Sequence, residues 1–160
     1  MASGLSFIVV LCGLWMGANA RCCDDNEPCV MCPSGWTQFG ERCFMYQAAP
    51  KDWADAETHC LNAGGNLVSY HSQAEYDFII GMIRRITGTN QRIWAGGQDT
   101  AKVNVWMWSN GHKFNYANWG PGEPNNGGRT EHCMELNWRN KPNDHQCYHK
   151  KPFMCAMDLE

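Results

Sequence analysis

The sequence predicts one α+β domain held together by disulfides. Two early segments carry helical apolar spacing, short strand-like runs follow through a long loop-rich stretch, and ten cysteines are spread over 160 residues. A chain of this length builds a single domain with a modest core.

The first element is not part of that domain. Residues 1–20, MASGLSFIVVLCGLWMGANA, carry no charged side chain and hold an apolar run from Leu5 to Trp15. They end on Ala18-Asn19-Ala20, a small-x-small cleavage pattern, and read as a secretory signal peptide. The run is too short to span a bilayer, and no later stretch predicts membrane insertion. A mature, extracellular chain then starts near Arg21 and keeps all the charged residues, with a net charge of −3. No basic cluster exceeds Lys150-Lys151 or Arg84-Arg85, which argues against a nucleic-acid partner.

Of the ten cysteines, Cys12 leaves with the signal peptide. The rest form a disulfide framework in an oxidising compartment. Their number is odd, so at least one pairs outside the chain or stays free, and a disulfide-linked homodimer is expected. Residues 21–31, RCCDDNEPCVM, are polar and aperiodic and form an N-terminal arm. Cys29-x-x-Cys32 has no second CxxC to complete a zinc site.

The domain proper spans 32–157. CPSGWTQFGERCFMYQ predicts a hairpin. DWADAETHCLNAGG predicts a helix with Trp53, Ala56, Cys60 and Leu61 on one face and Gly64-Gly65 as its stop. SQAEYDFIIGMIRRI starts with Ser72 and Glu75 in a capping-box arrangement. Phe78, Ile79, Met82, Ile83 and Ile86 then make its apolar stripe. After Gly88, RIWAGG, VWMWSNG, CMELNW and FMCAM predict short strands. The eight tryptophans and the methionine-rich runs are assigned to the core.

The stretch GPGEPNNGGRTEHC, residues 120–133, has nothing apolar to bury. Glu123 and Glu131 are hard anionic oxygen donors, Asn125 offers an amide carbonyl, and Asn143-Asp144 offers an amide and a carboxylate. Calcium takes about six to eight such oxygens. A disulfide between Cys133 and Cys147, which follow the two segments, would clamp them together. No Gly-x-Ser-x-Gly, phosphate loop or Cys-His dyad is present, and a Glu123/Glu131 glycosidase pair would need an apolar pocket this loop lacks. His145 and His149 flank Cys147 and do not sit on a predicted helix, which sets aside a metalloprotease. The chain is therefore not expected to be an enzyme.

Taken in order, CPSGW, WADAETHC, GGNLVSYHS, IWAGG, WSNG, EPN and the last four cysteines resemble a C-type lectin-like domain from about Cys32 to Met157. The resemblance implies two helices, short antiparallel strands, a long calcium-binding loop, and disulfides Cys32–Cys43, Cys60–Cys155 and Cys133–Cys147. Cys22, Cys23 and Cys29 are left as interchain candidates. The family's calcium ligands fall on Glu123, Asn125, Glu131, Asn143 and Asp144, with Pro124 in a cis bond. The same five residues would bind the carbohydrate, two vicinal hydroxyls completing the calcium shell. Glu-Pro-Asn resembles the mannose-type motif and Gln-Pro-Asp the galactose type.

Two departures stand out. The family's Trp-Asn-Asp reads Pro142-Asn143-Asp144 here, with Trp138 as a candidate to fill the space. The auxiliary calcium positions read Val103, Asn126 and His132, with only Asp99 retained, so one ion per domain is expected. The resemblance implies a secreted lectin that recognises glycans on cells or glycoproteins, in agglutination or innate defence. The alternatives are a galactose-binding lectin, a type II antifreeze-like ice-binding protein, and a venom or immune module that binds protein.

Overall fold

A computed structural model describes residues 30–159. The predicted signal peptide, most of the arm, and Cys22, Cys23 and Cys29 lie outside the described residues. β1 (Thr37–Phe39) and β2 (Arg42–Lys51) form the expected hairpin, turning at Gly40 with φ 60°. α1 (Trp53–Asn62) starts on Asp52, whose carboxylate accepts from the Asp55 N–H at 2.9 Å. α2 (Gln73–Thr87) starts on Ser72, whose hydroxyl accepts from the Glu75 N–H at 3.2 Å. Glu75 reaches back to accept from the His71 N–H at 2.6 Å, so two otherwise orphan donors are satisfied together. Gly88, at φ 70°, closes the helix in the left-handed region.

The remaining strands are β3 (Asn66–Leu67), β4 (Ile93–Gln98), β5 (Met107–Trp108), β6 (Cys133–Trp138), β7 (Lys141–His145) and β8 (Lys151–Asp158). All eight strands belong to one sheet in the order β1-β2-β8-β4-β6-β7, with β3 on β8 and β5 on β4. Most neighbouring strands pair antiparallel as expected, and one parallel pair makes the sheet mixed. β4 and β8 run parallel, Trp94 facing Phe153. Parallel neighbours need a long crossover, and the loop-rich stretch and the β6–β7 hairpin supply it.

α2 covers one side of the core with Tyr76, Ile79, Ile80, Met82 and Ile83 against Phe44, Tyr70, Ile93, Leu136 and Met154. α1 turns Ala56 and Cys60 toward Leu67, Trp94 and Phe153. Leu61 and Ile86, both predicted on buried faces, are more than half exposed. Leu61 is one helical step past Cys60, and Ile86 lies in the last turn of α2. The tryptophans are also less buried than composition suggests. Trp94 and Trp108 are buried, whereas Trp36, Trp53, Trp106, Trp119 and Trp138 are half-buried.

Three disulfides tie the described residues, Cys32–Cys43, Cys60–Cys155 and Cys133–Cys147, spanning 11, 95 and 14 residues. The second joins α1 to β8 across nearly the whole domain. Cross-linking stabilises in proportion to the logarithm of the loop closed. Replacing Cys60 and Cys155 together by alanine is expected to cost about 4 to 5 kcal/mol, against about 3 kcal/mol for Cys32 and Cys43. Urea unfolding of the two double variants reads the difference, and equal losses would contradict the loop-length account.

Candidate functional site

Between β4 and β6 the chain runs through residues 99–132 with little regular structure. Aromatic packing holds its outer arc: Trp106 and Trp119 have ring centroids 4.7 Å apart, and Trp108 and Phe114 4.8 Å apart. Its return is fixed on β7, where the Gly120 N–H donates to the Pro142 carbonyl at 3.0 Å. A side chain at residue 120 would crowd that carbonyl and the Lys141 Cβ, both 3.3 Å from the position of its first carbon. Glycine permits the approach.

Pro142 itself does no harm to the sheet. The β6–β7 ladder pairs Cys133 with His145, Met134 with Asp144 and Glu135 with Asn143, then shifts register before Trp138 meets Lys141. Pro142 falls inside the shift, on a strand at the end of the sheet order, where its missing N–H removes no ladder bond. Asn143 and Asp144, the next two residues, therefore keep regular strand positions.

The Glu123–Pro124 bond is cis. After it, the loop wraps around Asp144, which is 1% exposed. One Asp144 carboxylate oxygen accepts from the Asn125 N–H at 3.1 Å and the other from the Asn126 N–H at 2.6 Å. Glu131 is placed similarly: its Oε2 accepts from the Gly127 N–H at 2.9 Å, and its own N–H donates to Asn126 Oδ1 at 3.1 Å. A methyl group on Gly127 would sit 2.7 Å from that Oε2 and 3.2 Å from Asn125 Oδ1. The glycine thus leaves a small space that Glu131 and Asn125 both border.

Glu123, Asn125, Glu131 and Asn143 line one cleft of about 430 Å³, together with Arg92, Trp138, Arg139 and His145. Asp144 is buried at the loop base, close enough to Glu123 for the two carboxyls to interact. Burial, the adjoining Asp144 carboxyl and the Glu131 charge push the Glu123 carboxyl above its ordinary range. Burial also raises Glu131, with Asp144 and Glu135 adding to it while the Gly127 N–H opposes. Glu123 Oε2 is buried without a hydrogen-bond partner. Crowded carboxylates, an unpartnered buried oxygen and the Gly127 space fit a hard cation. Among the described residues no three His, Cys, Asp or Glu side chains are grouped to hold a metal, so the set depends on its asparagine amides.

Of the auxiliary positions, Asp99 is 2% exposed and engaged within the protein. Its carboxylate meets the His132 ring at 2.8 Å and accepts from the Asn104 N–H at 2.7 Å. Asn126 Oδ1 is engaged by Glu131, and Val103 is exposed.

The residue that sequence reasoning missed is Glu135. It is fully buried on β6 and takes three partners: Arg92 through its Nε at 3.0 Å and a second guanidinium nitrogen, Lys151 at 2.9 Å, and Asn143 Nδ2 at 3.0 Å. Burial alone would raise its carboxyl, but the Arg92, Lys151 and Asn143 donors outweigh burial and hold it below the ordinary range. Asn143 Nδ2 also meets the Asp144 carbonyl at 2.5 Å, so this amide is fixed with its nitrogen inward. A carboxylate in the otherwise apolar run CMEL was the available signal.

These opposite shifts predict opposite effects on stability. A raised carboxyl binds protons more tightly folded than unfolded, so Glu123 weakens the ion-free fold above its folded pKa and acid relieves it. Glu135, being depressed, contributes stability above the ordinary carboxylate range that is lost as pH falls through its lower folded value. In chelator at pH 7, Glu123→Gln is expected to raise the melting temperature. Glu135→Gln is expected to cost about 3 kcal/mol by leaving Arg92 and Lys151 without their counter-charge. Calorimetry of both variants checks the pair, and a loss of stability in Glu123→Gln would show that its charge is not under strain.

Residues 49–157 match the family model described as the lectin C-type domain. Over 154 residues the chain is 40% identical to the galactose-specific lectin nattectin of Thalassophryne nattereri, covering 96% of this chain and 94% of that protein. Among solved structures, a herring type II antifreeze protein superposes with a TM-score of 0.75 at 31% identity, over 81% of this chain and all of that one. The cow C-type carbohydrate-recognition domain of CD23, determined in the presence of a GlcNAc2Man3 oligosaccharide, gives a TM-score of 0.74 at 30% identity, over 82% and 99% of the two chains.

Proposed function

The chain belongs to the lectin C-type domain family, and from that membership we propose that it is a secreted, calcium-dependent lectin of mannose-type specificity. The family binds carbohydrate, and the domain is a binding module rather than an enzyme. Glu123, Asn125, Glu131, Asn143 and Asp144 are the oxygen donors that would hold the ion. Calcium would supply a hard electrophilic centre able to accept two neighbouring sugar hydroxyls.

The supporting observation is the buried, unpartnered Oε2 of Glu123, beside a cleft that Asn125, Glu131 and Asn143 also line. Leaving such an oxygen unpaired is costly, and a cation or a hydroxyl donor removes the cost. Glu123 and Glu131 accept from sugar hydroxyls, and Asn125 donates its amide N–H. Asn143 has its nitrogen engaged by Glu135, which leaves its Oδ1 for the ion. The Glu-Pro-Asn order of acceptor and donor across Pro124 favours the mannose-type pair of hydroxyls. Galactose is the second reading, favoured by the 40% identity to a galactose-specific lectin. A monosaccharide site of this size binds weakly, and a covalent dimer through the N-terminal cysteines would add avidity.

Retention on immobilised mannose and galactose, each in calcium and in EDTA, tests the reading. Calcium-dependent retention on mannose is expected, with the Glu123→Gln/Asn125→Asp exchange shifting it toward galactose. Galactose retention alone would overturn the motif-based specificity, EDTA-resistant retention the calcium requirement, and no retention the lectin itself. The ligand carboxylates must be ionised. Because Glu123 and Glu131 sit above their ordinary range in the ion-free fold, protons compete early, and retention is expected to fall between pH 7 and pH 4. Full retention at pH 4 would contradict the assignment.

A further inference from the structure

The cleft lined by the proposed primary-site residues is also lined by Arg92, Trp138 and Arg139. Two guanidiniums lie over the Trp138 ring, Arg92 at 4.5 Å and Arg139 at 5.3 Å from its centroid. Their situations differ. Arg92 is committed to Glu135 through two nitrogens. Arg139 is exposed, and among the described residues no hydrogen bond or ion pair engages its guanidinium.

The backbone at Arg139 is unusual. It forms the tip of the β6–β7 hairpin with Asn140, and both have positive φ, 46° and 64°. Such two-residue turns favour Asn-Gly or Asp-Gly, because other side chains are strained in the left-handed region. Asn140 suits its position and is pinned there: its carbonyl accepts from the Tyr76 hydroxyl at 3.3 Å and its Oδ1 from Asn90 Nδ2. Arg139 packs on the Trp138 face, yet among the described residues its five-donor fork makes no hydrogen bond or ion pair, and it lines the cleft. Strain kept at a cleft residue points to use.

From this geometry we propose that the Arg139 end of the cleft is a subsite for an anionic substituent on the bound glycan, a sulfate ester or a carboxylate. The inference rests on the lectin reading above. A planar guanidinium pairs with either oxyanion through two parallel N–H bonds, which a sugar hydroxyl cannot match. The Trp138 ring beneath it is covered by the two cations, so the cleft ends in charge rather than in a bare aromatic face. Glu123 and Glu131, which line the same cleft, repel an anion until a cation neutralises them, which makes acidic-glycan binding dependent on calcium.

The test compares a neutral sugar with its sulfated and its carboxylated counterparts, by calorimetry in calcium, on the wild type and on Arg139→Gly. The glycine variant removes the guanidinium while relaxing the left-handed backbone, so its melting temperature is expected to rise or hold. In the wild type at least one anionic sugar is expected to bind about tenfold tighter than the neutral parent, an advantage that shrinks in high salt. In Arg139→Gly the advantage is expected to vanish. Preference for sulfate alone or carboxylate alone supports the subsite and names its occupant. Equal binding of charged and neutral sugars by the wild type overturns the subsite and leaves the lectin standing. An anionic advantage that survives in Arg139→Gly also overturns it. No binding of any sugar, charged or neutral, overturns both.

Discussion

The carboxylate of Glu135 is the interaction on which the site geometry depends. It sits on β6 with no solvent exposure and draws Arg92 from the approach to β4, Lys151 from the start of β8 and Asn143 from β7. A lone buried charge would cost several kcal/mol, so each partner is held in place by the others. The consequence for the cleft is specific. Asn143 cannot rotate without leaving Glu135 short of a donor, and Arg92 cannot leave its place over Trp138 without doing the same. Arg92 and Asn143 of the cleft lining are therefore set by a core ion cluster, while Glu123, Asn125 and Glu131 come from the loop.

That loop carries a different balance. Backbone amides of the loop, and not cationic side chains, hold Asp144 and Glu131, and the Glu123 carboxyl adjoins Asp144. Amides of residues 125–127 satisfy Asp144 and half of Glu131 and leave a Glu123 oxygen unpaired. Two neighbouring clusters thus treat their carboxylates oppositely: Glu135 is compensated by Arg92 and Lys151, and the loop set has no cationic side chain paired with it among the described residues. Such local underpayment of charge is a mark of binding sites. It also explains the Cys133–Cys147 bond, which joins the end of the loop to the end of β7 where the two halves of the set would otherwise drift apart.

Much of this was legible in the sequence, because the informative features were local or counted along the chain. The hairpin, the capping box of α2 and the loop with its glutamate spacing follow from turn residues, capping residues and intervals, and the structure bears out the α+β fold and its three disulfides. What escaped was non-local. β7, with the sequence KPNDH, has no strand propensity and forms because β6 pairs with it. The parallel β4–β8 pair depends on where the chain returns after the loop. The half-burial of most tryptophans follows from a small domain with a long loop, in which large rings cover surfaces as often as they fill interiors. Glu135 escaped because a single glutamate in a strand predicts exposure unless its distant partners are known.

Pro142 shows how the fold accommodates a departure from the family motif. A proline beside two site residues suggests a broken strand and a displaced pair. The fold absorbs it by placing the residue in a register shift, at the end of the sheet order, with its carbonyl still used by Gly120. The same register shift precedes the turn at Arg139 and Asn140, so one irregularity tolerates the proline next to a hairpin tip whose Arg139 lines the cleft. Asn143 and Asp144 keep their ladder partners because the irregularity is confined to the side of β7 away from Cys147. The part of the hairpin near the disulfide can thus hold its geometry while the tip varies, which separates Asn143 and Asp144 of the candidate site from the turn beside them.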